Sequence, residues 1–478
     1  MNNKLGLGAL TALVLSTMVG AGIFSLPQNM AAGAGPGAVM IGWLITGIGM
    51  LGLVRVFYSL SIRKPHLDGG VIAYAQAGFG DFLGFNSAWG FWLNTLLANT
   101  SYAVVVFSAI GYFTDSPGNI LFGSGNTWQA MLGATILIWL MHYLVTRGVK
   151  EAALVNIVVT FAKLVPLCAF LAFAVLAANF DKFNMDIWAQ NNSGLGNVMD
   201  QVRYTMSITL WVFIGIEGAV VLSGRAKSRK AIGHATIIAL LVALVLYVAV
   251  TLFAFGVMTQ QELAELNNPS MALILEHIVG PWGAWLINIG LIVSVCGALL
   301  SWTVVTAEAP MVAAKQGLFP QWFGRENSHG APITALTAST IGVQAFLIMT
   351  LFSESTYLTL VNIATSSILI PYGLSAAYGL QVALKNTCYD GNNNARRWDL
   401  LASAIATLYG TWLIYAAGLD YLLLVALLYF PGLLVLFWTR RERQQPLLKG
   451  KGEWLGAIII TLMSASAVVL LANGTLNI

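Results

Sequence analysis

Apolar residues run along this chain in long blocks that are separated by short polar connections. A block of about 20 apolar residues is long enough to cross a bilayer as one helix. The pattern predicts thirteen such spans, at residues 7–31, 36–61, 84–113, 128–146, 151–178, 201–224, 232–257, 281–314, 332–352, 357–384, 398–418, 420–438 and 454–472. We therefore expect an all-α, polytopic membrane protein.

Two of the predicted spans are interrupted by glycine near their centres. In the first span, Met18–Pro27 reads MVGAGIFSLP, and in the sixth, Leu210–Ala219 reads LWVFIGIEGA. A helix that is broken at membrane depth survives only where it is buried in protein or lines a cavity. Breaks in corresponding spans indicate two inverted repeats of five helices, with a substrate site where the breaks meet. The alternative for the first span is close helix packing through glycine.

Composition and charge placement set the class of protein and its orientation. Hydrophobic residues make up 58% of the 478 positions and charged residues 9%, whereas soluble domains carry about 25% charged residues. Lys and Arg are retained on the cytoplasmic side. If the N-terminus is inside, the inside segments hold 19 of the 23 Lys and Arg residues. We expect a cytoplasmic N-terminus and, after thirteen spans, a C-terminus outside.

The sequence offers no set of residues for catalysis or for metal binding. The three cysteines are scattered, and the five histidines lack the spacing of metal ligands. No phosphate-binding loop, Ser-His-Asp set or pair of catalytic carboxylates can be assembled on one side of the membrane. We therefore expect no enzyme activity, no cofactor, no metal and no nucleic-acid partner.

Two charged residues lie within predicted spans at positions where charge is costly. A carboxylate at membrane depth costs at least ~2.5 kcal/mol on insertion scales, so Glu217 in the sixth span is a functional candidate. It could face a cationic substrate or form a gate contact, and the alternative is a structural hydrogen bond. Lys163 in the fifth span could replace a bound sodium ion or exchange protons. The alternative of snorkelling is weakened by its distance from either end of the span.

Several further residues combine polar or aromatic chemistry with a central position in a span. Trp211 and Trp302 lie beside Gly or Ser, where an indole can stack on a guanidinium or ammonium group. Asn99 could receive a polar substrate group or bond a helix backbone. Glu308 lies closer to the cytoplasmic end and is expected to pair with a loop cation. Arg55 could snorkel or form an ion pair, and no role is assigned to it.

Three stretches carry a resemblance to a known family. Val19–Pro27, Leu210–Glu217 and Gly317–Pro320 resemble the amino acid–polyamine–organocation superfamily and, within it, the basic amino acid/polyamine antiporters. The match covers about residues 5–438 and is closest to bacterial arginine/ornithine antiporters. Arginine/agmatine, lysine/cadaverine, putrescine/ornithine and histidine/histamine exchangers share the same core.

The resemblance implies a substrate pose around the first and sixth spans. The implied binding positions are Met18, Ala21, Gly22, Ile23, Asn99, Trp211, Ile214 and Trp302. The N–H groups near Ala21, Gly22 and Ile23 would meet the substrate carboxylate. Carbonyl groups near Met18, Trp211 and Ile214 would meet its α-ammonium. Asn99 would contact the distal cation, and Trp302 would stack on it.

The resemblance also implies gates and an ion-coupling residue. Trp211 would act as a middle gate, and Glu217 with Tyr372 would close the periplasmic side. Lys163 is similar to the fifth-span lysine that stands where sodium binds in sodium-coupled relatives. The chain departs from the arginine/agmatine exchangers at Thr17, Ala21 and Ala364, where they carry Asn, Ser and Ser. These departures alter the expected distal pocket.

The function expected from these features is secondary antiport of basic amino acids across a bacterial cytoplasmic membrane, with arginine entering and ornithine leaving by alternating access. The alternatives are a proton-coupled lysine or arginine permease and the related exchangers named above. A non-transporting receptor would need a cytoplasmic effector domain. We expect a core at residues 1–438 with repeats at about 5–178 and 201–384, a basic linker at 439–453 and an extra helix at 454–478. The expected partners are arginine, ornithine, lysine, the lipid bilayer and, from the resemblance, a second copy of the chain.

Overall fold

The fold is built from α-helices in the computed structural model, which describes residues 7–67, 69–148, 153–217, 229–352, 356–386, 388–389 and 391–476. Among these residues, ten helices are long and apolar enough to cross a membrane. An eleventh span is present if the bent pair Leu10–Met18 and Gly22–Ala31, whose halves meet at 47°, is counted as one. The expectation of an all-α polytopic membrane protein is confirmed.

The helices follow the predicted hydrophobic segments in order. The first part of the chain forms α1 (Leu7–Met18), α2 (Gly22–Ala31), α3 (Pro36–Arg63), α4 (Val71–Phe79), α5 (Asp81–Thr114), α6 (Trp128–Thr146), α7 (Ala153–Ala177), α8 (Phe180–Met185) and α9 (Val198–Trp211). The second part forms α10 (Arg229–Val257), α11 (Gln260–Ala264), α12 (Ser270–Val279), α13 (Pro281–Lys315), α14 (Ile333–Met349), α15 (Thr356–Leu384), α16 (Asn393–Glu442) and α17 (Gly450–Ala472). Helices α4, α8, α11 and α12 are too short to cross a bilayer and lie in the connections.

The difference between eleven spans and the thirteen predicted ones has two structural causes. Helix α16 runs over 50 residues but is bent at Gly418, whose φ of 78° lies in the left-handed region that favours glycine. This bend separates the predicted segments 398–418 and 420–438. The sixth predicted segment, 201–224, contains α9, which ends at Trp211. Part of that segment, residues 218–224, lies outside the described residues.

Two sets of helix contacts lie around the centre of the fold. Helix α5 packs against both α13 and α15, and α15 packs against α16. On the other side, α1 packs against α10, and α3 packs against α9, α10 and α16. The interrupted helices α1 and α9 therefore face the long central helices α5 and α13 across a cavity.

Ion pairs attach the last helix to the rest of the fold. Arg440 near the end of α16 forms two contacts with Glu453 in the first turn of α17, at 2.5 and 2.9 Å. Lys449 contacts Asp81 at the start of α5, with 3.1 Å between Nζ and Oδ2. The first turn of α17 is thereby fixed to two other spans, while most of the rest of its surface faces outward.

Candidate substrate cavity at the two helix breaks

A small cavity lies where the two interrupted helices meet α5 and α13. It is lined by Met18, Gly20, Gly22, Ile23, Ala98, Tyr102, Trp211, Val212, Ile214 and Trp302. The space open to water-sized molecules is about 10 Å³, which holds about one water. The breaks therefore line a common cavity, which is nearly closed in this structure.

The first break lies between α1 and α2. The Gly20 N–H donates to the Met18 carbonyl at 2.9 Å, so the chain turns sharply after α1. Helix α2 begins at Gly22, and its N-cap residue Ala21 provides no side-chain hydrogen bond. The first N–H groups of a helix have no partner within it and carry the positive end of its dipole. The start of α2 can therefore accept an anionic group.

Glycine is required at this break because other side chains approach the backbone closely. A Cβ added at Gly20 would lie 2.9 Å from the Tyr102 hydroxyl. At Gly22 it would lie 3.0 Å from two atoms of the Trp211 indole. A larger residue at either position would displace an aromatic side chain of the cavity.

The second break follows α9 and directly contacts the first. The Ile214 N–H donates to the Trp211 carbonyl at 3.2 Å, and the chain then leaves the helical conformation at Gly215, with a φ of 109°. A Cβ added at Gly215 would lie 2.6 Å from the carbonyl oxygen of Thr17. Glycine therefore permits both the left-handed backbone and the close approach of the two breaks. The predicted interruptions of the first and sixth spans are both observed here.

Three aromatic side chains form the wall opposite the break in α1. Tyr102 of α5 makes edge contacts with Trp211 and Trp302, with ring centroids 6.5 and 6.4 Å apart. All three side chains are buried. Trp211 and Trp302 were selected from the sequence, whereas Tyr102 was not, although it lies three residues after Asn99. The sequence gives no signal that Tyr102 lines the cavity; its role becomes visible only in the structure, where its hydroxyl lies close to Gly20.

The structure brings six of the eight expected binding residues to the cavity lining. Ala21 and Asn99 do not contribute to it. The amide nitrogen of Asn99 donates to Thr306 Oγ1 at 2.7 Å and to the Thr95 carbonyl at 3.0 Å. Its Oδ1 is buried and has no hydrogen-bond partner among the described residues. Asn99 thus bonds a helix backbone, as the alternative interpretation held, and retains one free acceptor.

Glu217 and Tyr372 form a direct hydrogen bond below the second break. The Tyr372 hydroxyl donates to Glu217 Oε2 at 2.5 Å, and the Gly215 N–H donates to the same oxygen at 3.1 Å. The Tyr372 ring packs against Phe57, with centroids 5.9 Å apart. The carboxylate therefore joins the second break to α15.

The position of this pair bears on the expected side of the gate. Phe57 lies near the end of α3 that carries Arg63, far from Pro36 at its start. The charge distribution predicts that the Arg63 end is cytoplasmic. In that orientation the chain after the second break continues toward the cytoplasm, so the predicted orientation and the predicted periplasmic position of the Glu217–Tyr372 gate are incompatible.

Lys163 of α7 reaches the C-terminal end of α1. Its Nζ donates to the Ser16 carbonyl at 2.9 Å and lies 3.5 Å from Ser16 Oγ. The side chain is only 5% exposed, so it does not snorkel to an interface. The last carbonyl groups of a helix lack partners within it and attract cations. Lys163 therefore helps to hold the first half of the broken span in place.

An ion-pair cluster that includes Arg55 lies at the predicted cytoplasmic end of α3. Arg55 and Arg63 both contact Asp399 of α16, at 2.8 and 2.9 Å, and Ser59 donates to the same carboxylate at 2.7 Å. The ion-pair alternative for Arg55 is confirmed. Asp399 was missed in the sequence because it stands at the polar edge of a predicted span, yet its side chain is only 2% exposed.

Comparison with known proteins identifies the family. The family model for amino acid permeases matches residues 5–431. The chain belongs to the amino acid permease family.

Individual amino acid permeases match over almost their whole length. An arginine/ornithine antiporter of Pseudomonas aeruginosa is 50% identical over 465 residues, which cover 96% of this chain and 95% of that protein. An L-lysine transport protein of Corynebacterium glutamicum is 42% identical, covering 98% of this chain and 95% of that protein. An arginine/agmatine antiporter of Chlamydia pneumoniae is 36% identical, covering 100% of this chain and 99% of that protein.

Proposed function

We propose that this amino acid permease is a secondary antiporter that takes up arginine in exchange for ornithine. The observation that carries the proposal is the meeting of both helix breaks at one cavity that is lined by six of the eight residues expected to bind a basic amino acid. The 50% identity to an arginine/ornithine antiporter supports the choice of substrates. The protein is then a carrier and not an enzyme.

The first break supplies the site for the substrate carboxylate. The N–H groups near Ala21, Gly22 and Ile23 stand at the start of α2, whose dipole favours an anion. The carbonyl groups of Met18 and Val212 stand at the ends of α1 and α9 and favour a cation. An α-amino acid carries both charges on adjacent atoms, so the cavity offers complementary partners to each.

The aromatic wall supplies the site for the distal cation. Trp302 and Tyr102 present ring faces and edges to a cavity without a charged side chain in its lining. An indole attracts a guanidinium or ammonium group by about 2 kcal/mol where water is excluded. Asn99 follows the lining residue Ala98, and its buried Oδ1, which has no hydrogen-bond partner among the described residues, is the acceptor that we assign to an N–H of the same group.

Alternating access follows from the arrangement of the breaks. The broken helices would rock around the fixed cavity so that it opens to one side at a time. We assign inverted repeats to about residues 5–178 and 201–384, with the N-terminus in the cytoplasm and the C-terminus outside. Arginine and ornithine each carry one positive charge at neutral pH, so one-for-one exchange moves no net charge.

The test is uptake of labelled arginine into proteoliposomes that are preloaded with one internal substrate. Separate preparations contain ornithine, lysine, agmatine, cadaverine, histamine or no amino acid or amine. We expect rapid uptake with internal ornithine and only background uptake into empty vesicles. A stronger response to agmatine, cadaverine or histamine than to ornithine would refute the proposed pair and assign a different exchanger.

A proton-coupled permease for lysine or arginine is the second candidate. The contact of Lys163 with the end of α1 favours it, because a lysine at this place could link protonation to movement of the broken helix. The identity to an L-lysine transport protein points the same way. Accumulation in empty vesicles under an acid-outside gradient would establish this function, provided that Lys163→Gln abolishes it. An exchanger gives no such accumulation.

A further inference from the structure

The hydroxyl of Tyr247 joins the two helix breaks. It lies 3.0 Å from the carbonyl oxygen of Met18 at the end of α1. It also lies 2.9 Å from the carbonyl oxygen of Val212 at the end of α9. Tyr247 belongs to α10 and is fully buried. One side chain thus reaches the C-terminal carbonyl group of both broken helices, immediately behind the cavity.

The ring that carries this hydroxyl is held by other aromatic side chains. It packs against Phe213, with centroids 5.2 Å apart, and against Trp43 at 6.1 Å. Phe213 itself belongs to the second break. The hydroxyl oxygen therefore has a fixed position between the two carbonyl groups, and moving it requires that the aromatic cluster moves with it.

The hydroxyl has one proton for two acceptors. A tyrosine O–H donates a single hydrogen bond, and a buried carbonyl group without a donor costs about 1–3 kcal/mol. The Met18 carbonyl already accepts the Gly20 N–H at 2.9 Å. The tyrosine O–H is therefore assigned as the donor to the Val212 carbonyl, and the Met18 carbonyl can still accept a hydrogen bond from another donor. Both residues line the cavity, so that donor can come from a bound molecule.

We propose that Tyr247 is a positioning residue for the α-ammonium group of the substrate. This inference rests on the proposed function as a carrier of α-amino acids. The tyrosine proton satisfies Val212, and the ammonium group supplies the donor that Met18 can still accept. Tyr247 does not line the cavity and acts through the Val212 carbonyl, whose need for a donor it meets, so that the ammonium group is directed to the Met18 carbonyl.

The proposal predicts which part of the substrate depends on Tyr247. Without the hydroxyl, the Val212 carbonyl loses its donor, so one α-ammonium must serve both carbonyl groups and is no longer directed to Met18 alone. Binding of a substrate with an α-ammonium should weaken, while an analogue without that group loses nothing. The carboxylate and the distal cation contact other residues and should be recognised as before.

The experiment compares Tyr247→Phe with a matched control, Tyr429→Phe. Tyr429 is also buried, and its hydroxyl also donates to a backbone carbonyl of another helix, that of Ser367 at 3.2 Å. Neither residue lines the cavity. The full-length proteins are reconstituted with internal ornithine. Labelled arginine uptake is inhibited by unlabelled arginine or by 5-guanidinopentanoate, which is arginine without its α-amino group.

We expect Tyr247→Phe to raise the inhibition constant of arginine about fivefold, the value of one hydrogen bond, and to leave that of 5-guanidinopentanoate unchanged. Tyr429→Phe should change neither constant. Equal losses for both inhibitors, or an unchanged arginine constant, would refute the proposal. Melting temperatures of the two variants in detergent show whether either has lost stability. If both variants are destabilised equally but only Tyr247→Phe binds arginine more weakly, the result supports the positioning role.

A wrong substrate assignment gives a different result. If the wild-type protein exchanges lysine and not arginine, the proposed pair fails. The role of Tyr247 is then tested in the same way with lysine and 6-aminohexanoate. A selective loss of lysine binding would support the positioning role, and an equal loss for both compounds would refute it.

Discussion

Replacement of Trp302 by leucine tests the aromatic recognition of the distal cation. Trp302 lines the cavity and is buried. Its ring contacts Tyr102 at 6.4 Å, so the indole is held in place before substrate enters. Leucine keeps an apolar side chain but removes the π face. A desolvated cation–π contact is worth about 2 kcal/mol, so we expect the apparent KM for arginine to rise about 30-fold.

The assay is initial uptake of labelled arginine against its external concentration, with ornithine inside. Trp302→Phe retains a ring face and should give a KM between those of the wild type and of Trp302→Leu. Trp89→Leu is the control, because Trp89 is also buried but its indole donates to the Leu428 carbonyl away from the cavity. Trp302→Leu with a KM near the wild-type value, or leucine and phenylalanine variants with the same KM, would contradict cation stacking.

Three further changes test other parts of the structure. Gly22→Ala places a methyl group 3.0 Å from the Trp211 ring. Such overpacking costs about 1–3 kcal/mol, so the initial rate of arginine uptake should fall about tenfold. The variant should still be purified as a folded protein. Asp399→Asn leaves Arg55 and Arg63 without their carboxylate and should lower the free energy of unfolding by on the order of 2 kcal/mol. This is less than the loss for a fully buried ion pair, because both arginines are partly exposed. An unchanged melting temperature would contradict this prediction. Hydrogen bonds from the backbone N–H and the hydroxyl of Thr259 hold the pKa of Glu262 below its ordinary value of 4.5. A depressed carboxyl pKa stabilises the fold above the ordinary value and stops doing so as the pH falls through the folded value. The protection factors of the α11 amides, which correct for the intrinsic slowing of exchange toward acid pH, should therefore fall only below about pH 4.5, and Glu262→Gln should remove that pH dependence.

The spans and the first break could be predicted because they depend on local composition. A run of apolar residues long enough for the bilayer forms a helix, and the glycines of the first span end α1 at Met18 and begin α2 at Gly22. The end of α9 at Trp211 follows from the same reasoning. Bulky residues beside these glycines were selected as cavity residues, and most of them line the cavity.

The missed residues depend on tertiary contacts that a single sequence does not reveal. Tyr102 and Tyr247 stand in apolar helices, where a tyrosine resembles any other core residue. Their importance comes from what lies opposite, a glycine for the first and two carbonyl groups for the second. Asp399 is similar, because its partners Arg55 and Arg63 are more than 330 residues away in sequence.

The expected gate illustrates a different difficulty. The periplasmic side expected for Glu217 and Tyr372 came from a resemblance and not from the direction of the chain. In the predicted orientation the sixth span enters from the outside, so residues after its break lie toward the cytoplasm. In the same orientation Tyr372 follows Asn362 on a helix that begins outside. Chain direction and the predicted orientation together assign both residues to the inner side, so the two predictions are incompatible.

Two hydrogen bonds link the second broken span to α15 on opposite sides of Trp211. Toward α9, the Ser207 hydroxyl donates to Asn362 Oδ1 at 2.6 Å, and beyond the break Tyr372 donates to Glu217 at 2.5 Å. Because the cavity has a space of only about 10 Å³, we expect one of these contacts to break before a molecule as large as arginine enters.

Other hydrogen bonds link the helices on each side of the cavity. Lys163 of α7 donates to the Ser16 carbonyl near the end of α1, and the Tyr247 hydroxyl of α10 lies within 3.0 Å of the carbonyl oxygens of Met18 and Val212. On the other side, Asn99 ties α5 to Thr306 of α13, and Asn94 ties α5 to the Ala364 carbonyl of α15. In the proposed exchanger, breaking only the Ser207 contact would open one end of the cavity, and breaking only the Glu217 contact would open the other. The contact of Tyr247 with the ends of α1 and α9 would then keep those ends together, which exchange requires if the same site is to face both sides.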